Sequence, residues 1–336
     1  MPLRGGSAAP APARRYVQAM STADGQPAAP EGERHPERYP AGRFEVIVNA
    51  GAGGAGADDV AERVRAALAE AGIAAVVRVA SGTSCRDAAA LAAADPSCAA
   101  VVAVGGDGTV SAVAGAVAGT GKPLGILPLG TLNHFAKDLG LPLELADAAR
   151  ALATALPRTV DVAEVNGRVF VNNSSIGVYP RAVRTRKRLR ARLGKWLAMG
   201  LALVRVIVRI RPLSVRIRWE GGARPRRTTF VFVGNNVYDT ELLATQRRAA
   251  LDAGVLGVYA GAERSRLGLL RLALRALRGR IDPARDLEAL VVPWVTLESH
   301  RRTLLVSVDG EVVRLAPPIR YRIRPGALRV LAPPPR

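Results

Sequence analysis

The chain has 336 residues, of which 49% are apolar, and it is long enough to bury two modest hydrophobic cores. Aromatic residues make up only 4% of it, which argues against a protein that stacks nucleic-acid bases on aromatic side chains. The formal net charge of +20 at pH 7 indicates an anionic partner: nucleic acid, a membrane surface or a phosphorylated ligand.

The first 156 residues divide into a tail and a region of alternating elements. Residues 1–42 are rich in Ala, Pro, Gly, Arg and Glu without a sustained apolar period, so we predict a disordered tail. Over residues 43–156, strand and helix patterns alternate, which indicates a Rossmann-like α/β domain with a parallel sheet. The predicted strands are Phe44–Val48, Ile73–Val79, Ala99–Val104 and Leu124–Leu127, and the predicted helices are Asp58–Ala71, Asp87–Ala94, Val110–Gly119 and Leu132–Leu139.

Residues 157–336 have a different sequence pattern, in which turns separate many short runs of β-forming residues. This pattern predicts a second domain that is a mainly antiparallel β-sandwich. Two basic, apolar helical stretches interrupt it, at 181–210 and 264–280. The predicted strands are Thr159–Val165, Val169–Asn173, Ser214–Trp219, Thr228–Val233, Val255–Tyr259, Val291–Leu297, Thr303–Val308 and Ile319–Ile323.

Cysteine content and hydropathy bear on the compartment. Only Cys85 and Cys98 are present, too few for a disulfide framework, so we expect a reducing cytoplasm. No uninterrupted apolar run approaches the ~20 residues that a membrane-spanning helix needs. The first residues also lack the apolar core of a signal peptide. The sequence therefore predicts a cytoplasmic protein without a spanning helix.

Three glycine-rich turns follow predicted strands of the first domain: Asn49–Gly56, Gly105–Thr109 and Gly130–Thr131. Parallel sheets bind ligands beyond the carboxyl ends of their strands, so we expect these turns to converge. The Gly-Gly-Asp-Gly-Thr turn is neither the dinucleotide fingerprint nor the phosphate loop with its lysine. By itself it indicates a phosphate site that contains a carboxylate, or a turn in which Asp107 merely caps a helix.

Taken together, the motifs resemble the catalytic domain of the diacylglycerol kinase family, in its soluble bacterial lipid-kinase branch. Gly105–Thr109 is followed by Pro-Leu-Gly-Thr-Leu-Asn-His-Phe-Ala at 128–136, and the later matches keep the family's order. Those matches are Phe170–Gly177, Val233–Tyr238, Leu251–Gly254 and Val308–Glu311. The resemblance implies a two-domain kinase that uses ATP and Mg²⁺, with a nucleotide domain and a lipid domain around a cleft.

The resemblance also implies roles for particular residues. Asp107 would hold the nucleotide and its Mg²⁺, and Glu311, in Asp309-Gly310-Glu311, would be the general base toward the lipid hydroxyl. Without the other motifs, that tripeptide reads equally well as a hairpin turn with solvated acids. The residues implied to hold ATP are Asn49, Gly53, Gly105, Gly106, Asp107, Gly108, Thr109, Gly130 and Thr131, together with Thr83, for which Ser81 is the alternative.

Two positions depart from the family's pattern. His134 stands where many relatives have an aspartate after the asparagine, so it is either a nucleotide-facing or capping residue or one without a functional role. In Leu-Asp-Ala-Gly at 251–254, Ala253 replaces an aspartate of a second metal site and leaves Asp252 as its only carboxylate.

The basic block at 181–195 has eight Lys and Arg residues and no acid, and the apolar run Trp196–Val204 follows it. This arrangement is typical of a helix that lies on an anionic membrane surface. The alternatives are the solvated face of an ordinary packed helix and a nucleic-acid patch, the latter being disfavoured because the region has one aromatic residue and no binding motif.

We therefore expect a peripheral-membrane lipid kinase that phosphorylates a hydroxyl of diacylglycerol or a related lipid. The alternatives are a sphingosine-kinase-like or NAD-kinase-like phosphotransferase and a catalytically silent nucleotide- or lipid-binding regulator. The sequence leaves the oligomeric state open, a homodimer included.

Overall fold

The computed structural model describes residues 42–51, 56–177, 212–238, 248, 250–261 and 287–333. Residues 1–41 of the predicted tail, Gly53 and both basic stretches, 181–210 and 264–280, lie outside the described residues. Within the described part, no helix is both long and apolar enough to cross a bilayer.

The first half is a parallel sheet with helices on both faces. The strands stand in the order β2-β1-β3-β4 and pair in parallel, and all eight residues of β3 are buried. Burial on both faces explains why this strand reads as a continuous apolar run. The elements are β1 Arg43–Asn49, α1 Ala57–Glu70, β2 Ala75–Ala80, α2 Ser84–Ala94, β3 Cys98–Gly105, α3 Asp107–Val117, β4 Leu124–Pro128, α4 His134–Asp138 and α5 Leu145–Thr154.

The helices differ from the prediction at four places. Helix α2 begins at Ser84 and not at Asp87. Helix α3 begins at Asp107 and not at Val110, because the Gly106 carbonyl already accepts the amides of Thr109 and Val110. Helix α4 is shorter than predicted, because Asn133 has a φ of 51° and interrupts the helical backbone. Helix α5 was not predicted, since most of its buried face consists of small alanine side chains.

In the second half, the described residues form twelve strands, and most of these belong to a β-sandwich. Six strands form an antiparallel sheet in the order β12-β11-β10-β7-β14-β15. It packs against β16-β13-β8-β9, and side chains such as Ile176, Val231, Val295 and Leu297 fill the space between the sheets. The strands are β5 Leu156–Val165, β6 Arg168–Phe170, β7 Asn173–Gly177, β8 Leu213–Trp219, β9 Gly222–Thr228, β10 Phe230–Asn235, β11 Leu256–Gly261, β12 Leu287–Val292, β13 Trp294–Glu298, β14 Leu304–Val308, β15 Glu311–Leu315 and β16 Ile319–Ala332.

The predicted fold class, a Rossmann-like sheet plus an antiparallel sandwich, is confirmed, but several predicted strands are divided. The run Val169–Asn173 is broken between β6 and β7, and Val291–Leu297 is broken at Pro293, which has no amide hydrogen for a ladder. Strand β16 runs to Ala332, well beyond the predicted end at Ile323.

Strand β16 makes the first sheet continuous with the sandwich. It pairs with β5 along most of its length and with β13 near its start, both antiparallel, and Val330 pairs in parallel with Leu124 of β4. The result is one ten-stranded sheet that spans both halves. The division at residues 156–157 remains a prediction, since hydrogen-bonded strands run across it.

A buried ion pair adds a second connection between the halves. The Arg248 side chain is fully buried, and its Nη2 lies 2.7 Å from Oδ2 of Asp138, at the end of α4. The same guanidinium donates to the carbonyl of Val171 at 2.6 Å and lies over the ring of Phe135. Helix α4 is thereby anchored to the segment between β6 and β7.

Candidate active site

The turns after β1, β3 and β4 meet at the carboxyl edge of the sheet, around a cavity of about 570 Å³. We expected this convergence from the position of the three turns after predicted strands. The cavity is lined by Asn49, Gly51, Gly82, Cys85, Gly106, Gly108, Thr109, Ala112, Leu129, Gly130, Thr131 and Glu311. Seven of the predicted site residues are among them, including Glu311 from the far end of the chain.

The turns after β3 and β4 touch backbone to backbone through two glycines. A Cβ atom on Gly130 would lie 2.5 Å from the Cα of Gly106, closer than real contacts allow. The amide of Leu129 also donates to the carbonyl of Gly105 at 2.9 Å. Around Gly108, by contrast, a Cβ would meet nothing within 4 Å, so the start of α3 is open to the cavity.

Side chains then fix each turn. Asn49 donates from Nδ2 to Oγ1 of Thr109 at 2.7 Å, which joins the turn after β1 to α3. Asn133 closes the turn after β4, because its amide group bonds to both the backbone amide and the carbonyl of Gly130.

Asp107 joins the turn after β3 to helix α4. Its Oδ1 accepts the backbone amide of His134 at 2.8 Å, so the aspartate satisfies one of the first amides of α4. No described residue donates to its other oxygen. His134 uses its backbone here, and it does not line the 570 Å³ cavity.

Asp309 is bound on several sides and is not the solvated acid that an isolated hairpin would present. Its Oδ2 accepts the amide of Val171 at 2.8 Å, and its Oδ1 accepts those of Asn172 and Asn173 at 2.9 Å each. The Ser111 hydroxyl of α3 is a further hydrogen-bond donor. Burial raises the pKa of the Asp309 carboxyl, while these hydrogen bonds oppose the shift.

The hairpin itself follows the turn prediction. Strands β14 and β15 pair antiparallel, and the two central residues, Asp309 and Gly310, have φ of 44° and 84°. Positive φ at both positions is the pattern of a type I′ hairpin turn. Because the turn is fixed by Asp309, the side chain of Glu311 is presented at its end.

Glu311 stands where two cavities meet. It is exposed, and it lines both the 570 Å³ cavity and a smaller one of about 230 Å³. The smaller cavity is lined by Gly82, Thr83, Arg86, Gly108, Ser111, Ala112, Gly115, Arg168, Val169, Val308, Asp309 and Glu311. Arg86, Ser111 and Arg168 were not singled out from the sequence. Ser111 lies one helical turn after Asp107, a spacing that could have indicated it.

Other predicted residues lie elsewhere. Asp252 is exposed, pairs with Arg158 at 4.0 Å and lines neither cavity. Thr83 lines only the smaller cavity, and Ser81 lines neither. Among the described residues, no cluster of three or more His, Cys, Asp or Glu side chains could by itself hold a metal ion.

Comparison with known proteins identifies both halves. Residues 43–165 match the diacylglycerol kinase catalytic domain, and residues 172–332 match the YegS C-terminal NAD kinase beta sandwich-like domain. A probable lipid kinase YegS-like of Pseudomonas aeruginosa is 35% identical over 246 residues, which cover 69% of this chain and 76% of that protein. This chain belongs to the YegS-like lipid kinase family. It is therefore a kinase, and the resemblance inferred from its motifs is confirmed.

Other relatives agree with this assignment to the lipid kinases. The probable YegS-like lipid kinase of Chromohalobacter salexigens is 30% identical over 240 residues and covers 69% of this chain and 76% of that protein. The diacylglycerol kinase of Bacillus subtilis is 30% identical over 185 residues, or 53% of this chain and 60% of that protein. A crystal structure of a putative diacylglycerol kinase from Bacillus anthracis has the same fold, with a TM-score of 0.69 at 22% identity over 87% of this chain and 98% of that chain.

The contact between the two glycine turns leads to a test of stability. In the lipid kinase, Gly130→Ala should lower the free energy of unfolding by about 1–3 kcal/mol, because the new methyl group forces the turns apart. Gly108→Ala is the matched control, since its methyl group meets no atom within 4 Å and alanine favours the helix. Urea unfolding of both variants checks this, and equal stabilities for the two would contradict the contact.

Proposed function

We propose that this lipid kinase transfers the γ-phosphoryl group of ATP to a hydroxyl of diacylglycerol or a related lipid, with Glu311 as general base. The observation that carries the proposal is the position of Glu311. Glu311 lines both the cavity of the glycine turns and the smaller cavity beside it. Such a position suits a base that contacts an acceptor in one cavity while the phosphoryl donor lies in the other.

The larger cavity has the features of a phosphate site. The first amides of α3, at Asp107 and Gly108, have no intrahelical acceptor, and helix N-termini favour anionic oxygens. Gly106 and Gly108 have no Cβ atom, so phosphate oxygens can approach the backbone closely at these positions. We assign ATP to this cavity, which is lined by Asn49, Gly106, Gly108, Thr109, Gly130 and Thr131. Gly105 and Asp107 do not line it and, like Gly53 and Thr83, are further members by resemblance.

The residues present also fit a magnesium ion. Mg²⁺ in kinases is held by one or two carboxylates together with the substrate phosphates, so a large acidic cluster is not required. Asp107 would hold it through the oxygen that no described residue occupies. When bound, the ion would neutralise charge on the β- and γ-phosphate oxygens. Asp252 pairs with Arg158, and the positive charge of the arginine disfavours a metal ion at that carboxylate.

Glu311 then acts on the acceptor. Its carboxylate takes the proton of the lipid hydroxyl as the hydroxyl oxygen bonds to the γ-phosphorus. The bond between that phosphorus and the β–γ bridging oxygen breaks, and ADP leaves. Phosphoryl transfer depends mainly on position, so the rigid hairpin under Glu311 is as important as its basicity. Asp309 acts through Glu311 and is a positioning residue.

The acceptor is a membrane component, so the enzyme must reach a lipid surface. The net charge of +20 supports docking on an anionic membrane. The basic block at 181–195 also supports docking on an anionic membrane. This support comes from its sequence only, because the block lies outside the described residues.

Removing the proposed base tests the function directly. Glu311→Gln should lower kcat for transfer of labelled γ-phosphate to diacylglycerol by about 10²–10⁴-fold, with KM for ATP nearly unchanged. Glu298→Gln, at a half-buried acid of β13 that lines neither cavity, is the control and should keep full activity. Full activity in Glu311→Gln would refute its role. Preferential phosphorylation of NAD or sphingosine by the unaltered enzyme would favour those alternatives.

The membrane partner has its own test. We expect binding to vesicles that contain anionic lipid and a loss of that binding as salt rises, since each basic residue near the surface is worth about 1 kcal/mol. Sedimentation with neutral and anionic vesicles at low and high salt measures this. Equal binding to both kinds of vesicle would contradict the anionic-surface proposal.

A further inference from the structure

Both basic stretches begin and end at the same end of the β-sandwich. The strand residues that flank the first and second stretch, respectively, are Gly177 with Leu213 and Gly261 with Leu287. Leu213 pairs with Thr228, and the Thr228 hydroxyl donates to the carbonyl of Gly261 at 3.0 Å. Gly261 pairs with Leu287, and Gly177 pairs with Phe230, two residues after Thr228. All four flanking residues therefore meet around the turn from β9 to β10, which we call the outer end of the sandwich.

The two stretches contain most of the chain's net charge of +20. Residues 178–211 include eleven Lys and Arg residues and no acid, and residues 262–286 include seven Arg residues and three acids. Charges of one sign that are attached to one end of a fold repel one another, and an anionic partner relieves this repulsion. The sequence and the strand order together therefore predict an anionic partner at the outer end.

The described residues of the outer end form a basic basin of about 740 Å³. It is lined by Ser214, Val215, Arg216, Pro225, Arg226, Arg227, Glu298, Ser299 and His300. Arg216 and Arg227 are exposed, and neither forms an ion pair with an acid of the described residues. The acid at the edge of this basin, Glu298, is already bound by Arg218 at 2.9 Å. Two guanidinium groups are thus available to an external anion.

The turn from β13 to β14 adds positive charge beside the basin. The hydroxyl of Ser299 donates to the carbonyl of Ser214 at 3.4 Å and accepts the amide of Arg301 at 3.4 Å, so the turn is held against β8. Arg301 and Arg302 are both exposed. The outer end therefore presents arginines from two strands and one turn on a connected framework.

From this arrangement we infer that the outer end docks on the membrane, with Arg216 and Arg227 bound to phosphate groups of anionic phospholipids. The inference rests on the proposed function, which gives the enzyme an acceptor in a membrane. Guanidinium groups pair with phosphate oxygens through parallel hydrogen bonds, and clusters of Lys and Arg bind anionic leaflets. These phospholipids are anchors and not acceptors.

Nucleic acid is the other large anionic surface. Apolar residues accompany the basic residues in both stretches, as in the run Trp196–Val204 that follows the basic block. A lipid leaflet can bury apolar side chains beside its phosphates, whereas a nucleic-acid backbone offers them no such environment. The composition therefore favours a membrane as the partner.

The outer end is separate from the cavities at Glu311 but close enough to serve them. Strand β7 runs from Gly177 at the outer end to Asn173, whose amide donates to Asp309. Its five residues span about 13 Å, since each rises by about 3.3 Å. The acceptor hydroxyl has to rise from the surface by a similar distance, which is less than the ~15 Å of hydrocarbon in one leaflet. Variants of the basin therefore leave the site itself untouched.

Vesicle sedimentation with two charge-matched double variants tests the inference. The vesicles contain equal parts of dioleoyl-phosphatidylcholine and dioleoyl-phosphatidylserine, an anionic lipid whose headgroup has no hydroxyl to phosphorylate. Arg216→Gln combined with Arg227→Gln should weaken binding at least tenfold. Arg63→Gln combined with Arg65→Gln removes the same charge from exposed positions of α1 and should leave binding within twofold of that of the unaltered enzyme.

Kinase activity without vesicles shows that the variants are folded. Transfer to dioctanoylglycerol in neutral detergent micelles should keep its kcat/KM within twofold in both double variants. Equal losses of vesicle binding in the two, or no loss in the basin variant, would overturn the inference. Tighter binding of duplex DNA than of these vesicles at the same salt would also overturn it. Absence of transfer to dioctanoylglycerol by the unaltered enzyme would contradict the proposed function itself, a result that no vesicle outcome resembles.

Discussion

Asp309 accepts hydrogen bonds from the amides of three successive residues, 171–173, and from the hydroxyl of Ser111 on α3. These contacts hold the turn between β14 and β15 against the break between β6 and β7 and against the helix that begins at the glycine turn. A partly buried carboxylate with this many donors is costly to move, because the amides would lose their acceptor. The position of Glu311, two residues further along, depends on this one side chain.

The hairpin reaches the glycine turns because the two halves of the chain are joined elsewhere as well. Strand β16 carries the first sheet into the sandwich, and the buried pair of Arg248 and Asp138 anchors α4 to the segment that Asp309 binds. Asp107 joins the turn after β3 to the same helix, since it accepts the amide at the start of α4. The cavity thus lies among elements whose contacts support one another, which suits chemistry that depends on position.

The features that local sequence patterns determine were predicted from the sequence. Alternating strands and helices gave the parallel sheet, and glycines after β3 and β4 gave the turns. It could not predict the partners of Asp309, because amides 136–138 residues away are matched to it only by the fold. Arg86 and Arg168 were missed as residues of the smaller cavity for a similar reason, since isolated charges have no period. Helix α5 was missed because its buried face is mostly alanine, and the long pairing of β16 with β5 because strand pairing is non-local.

We propose that Asp309 serves catalysis through the position of Glu311. A double-mutant cycle on kcat, with Asp309→Asn, Glu311→Gln and the double variant, measures this coupling directly in folded protein. If the claim holds, Asp309→Asn slows phosphoryl transfer in the unaltered enzyme but has little further effect once Glu311 is Gln. Losses that simply multiply in the double variant would show that the two residues act independently and would contradict the claim.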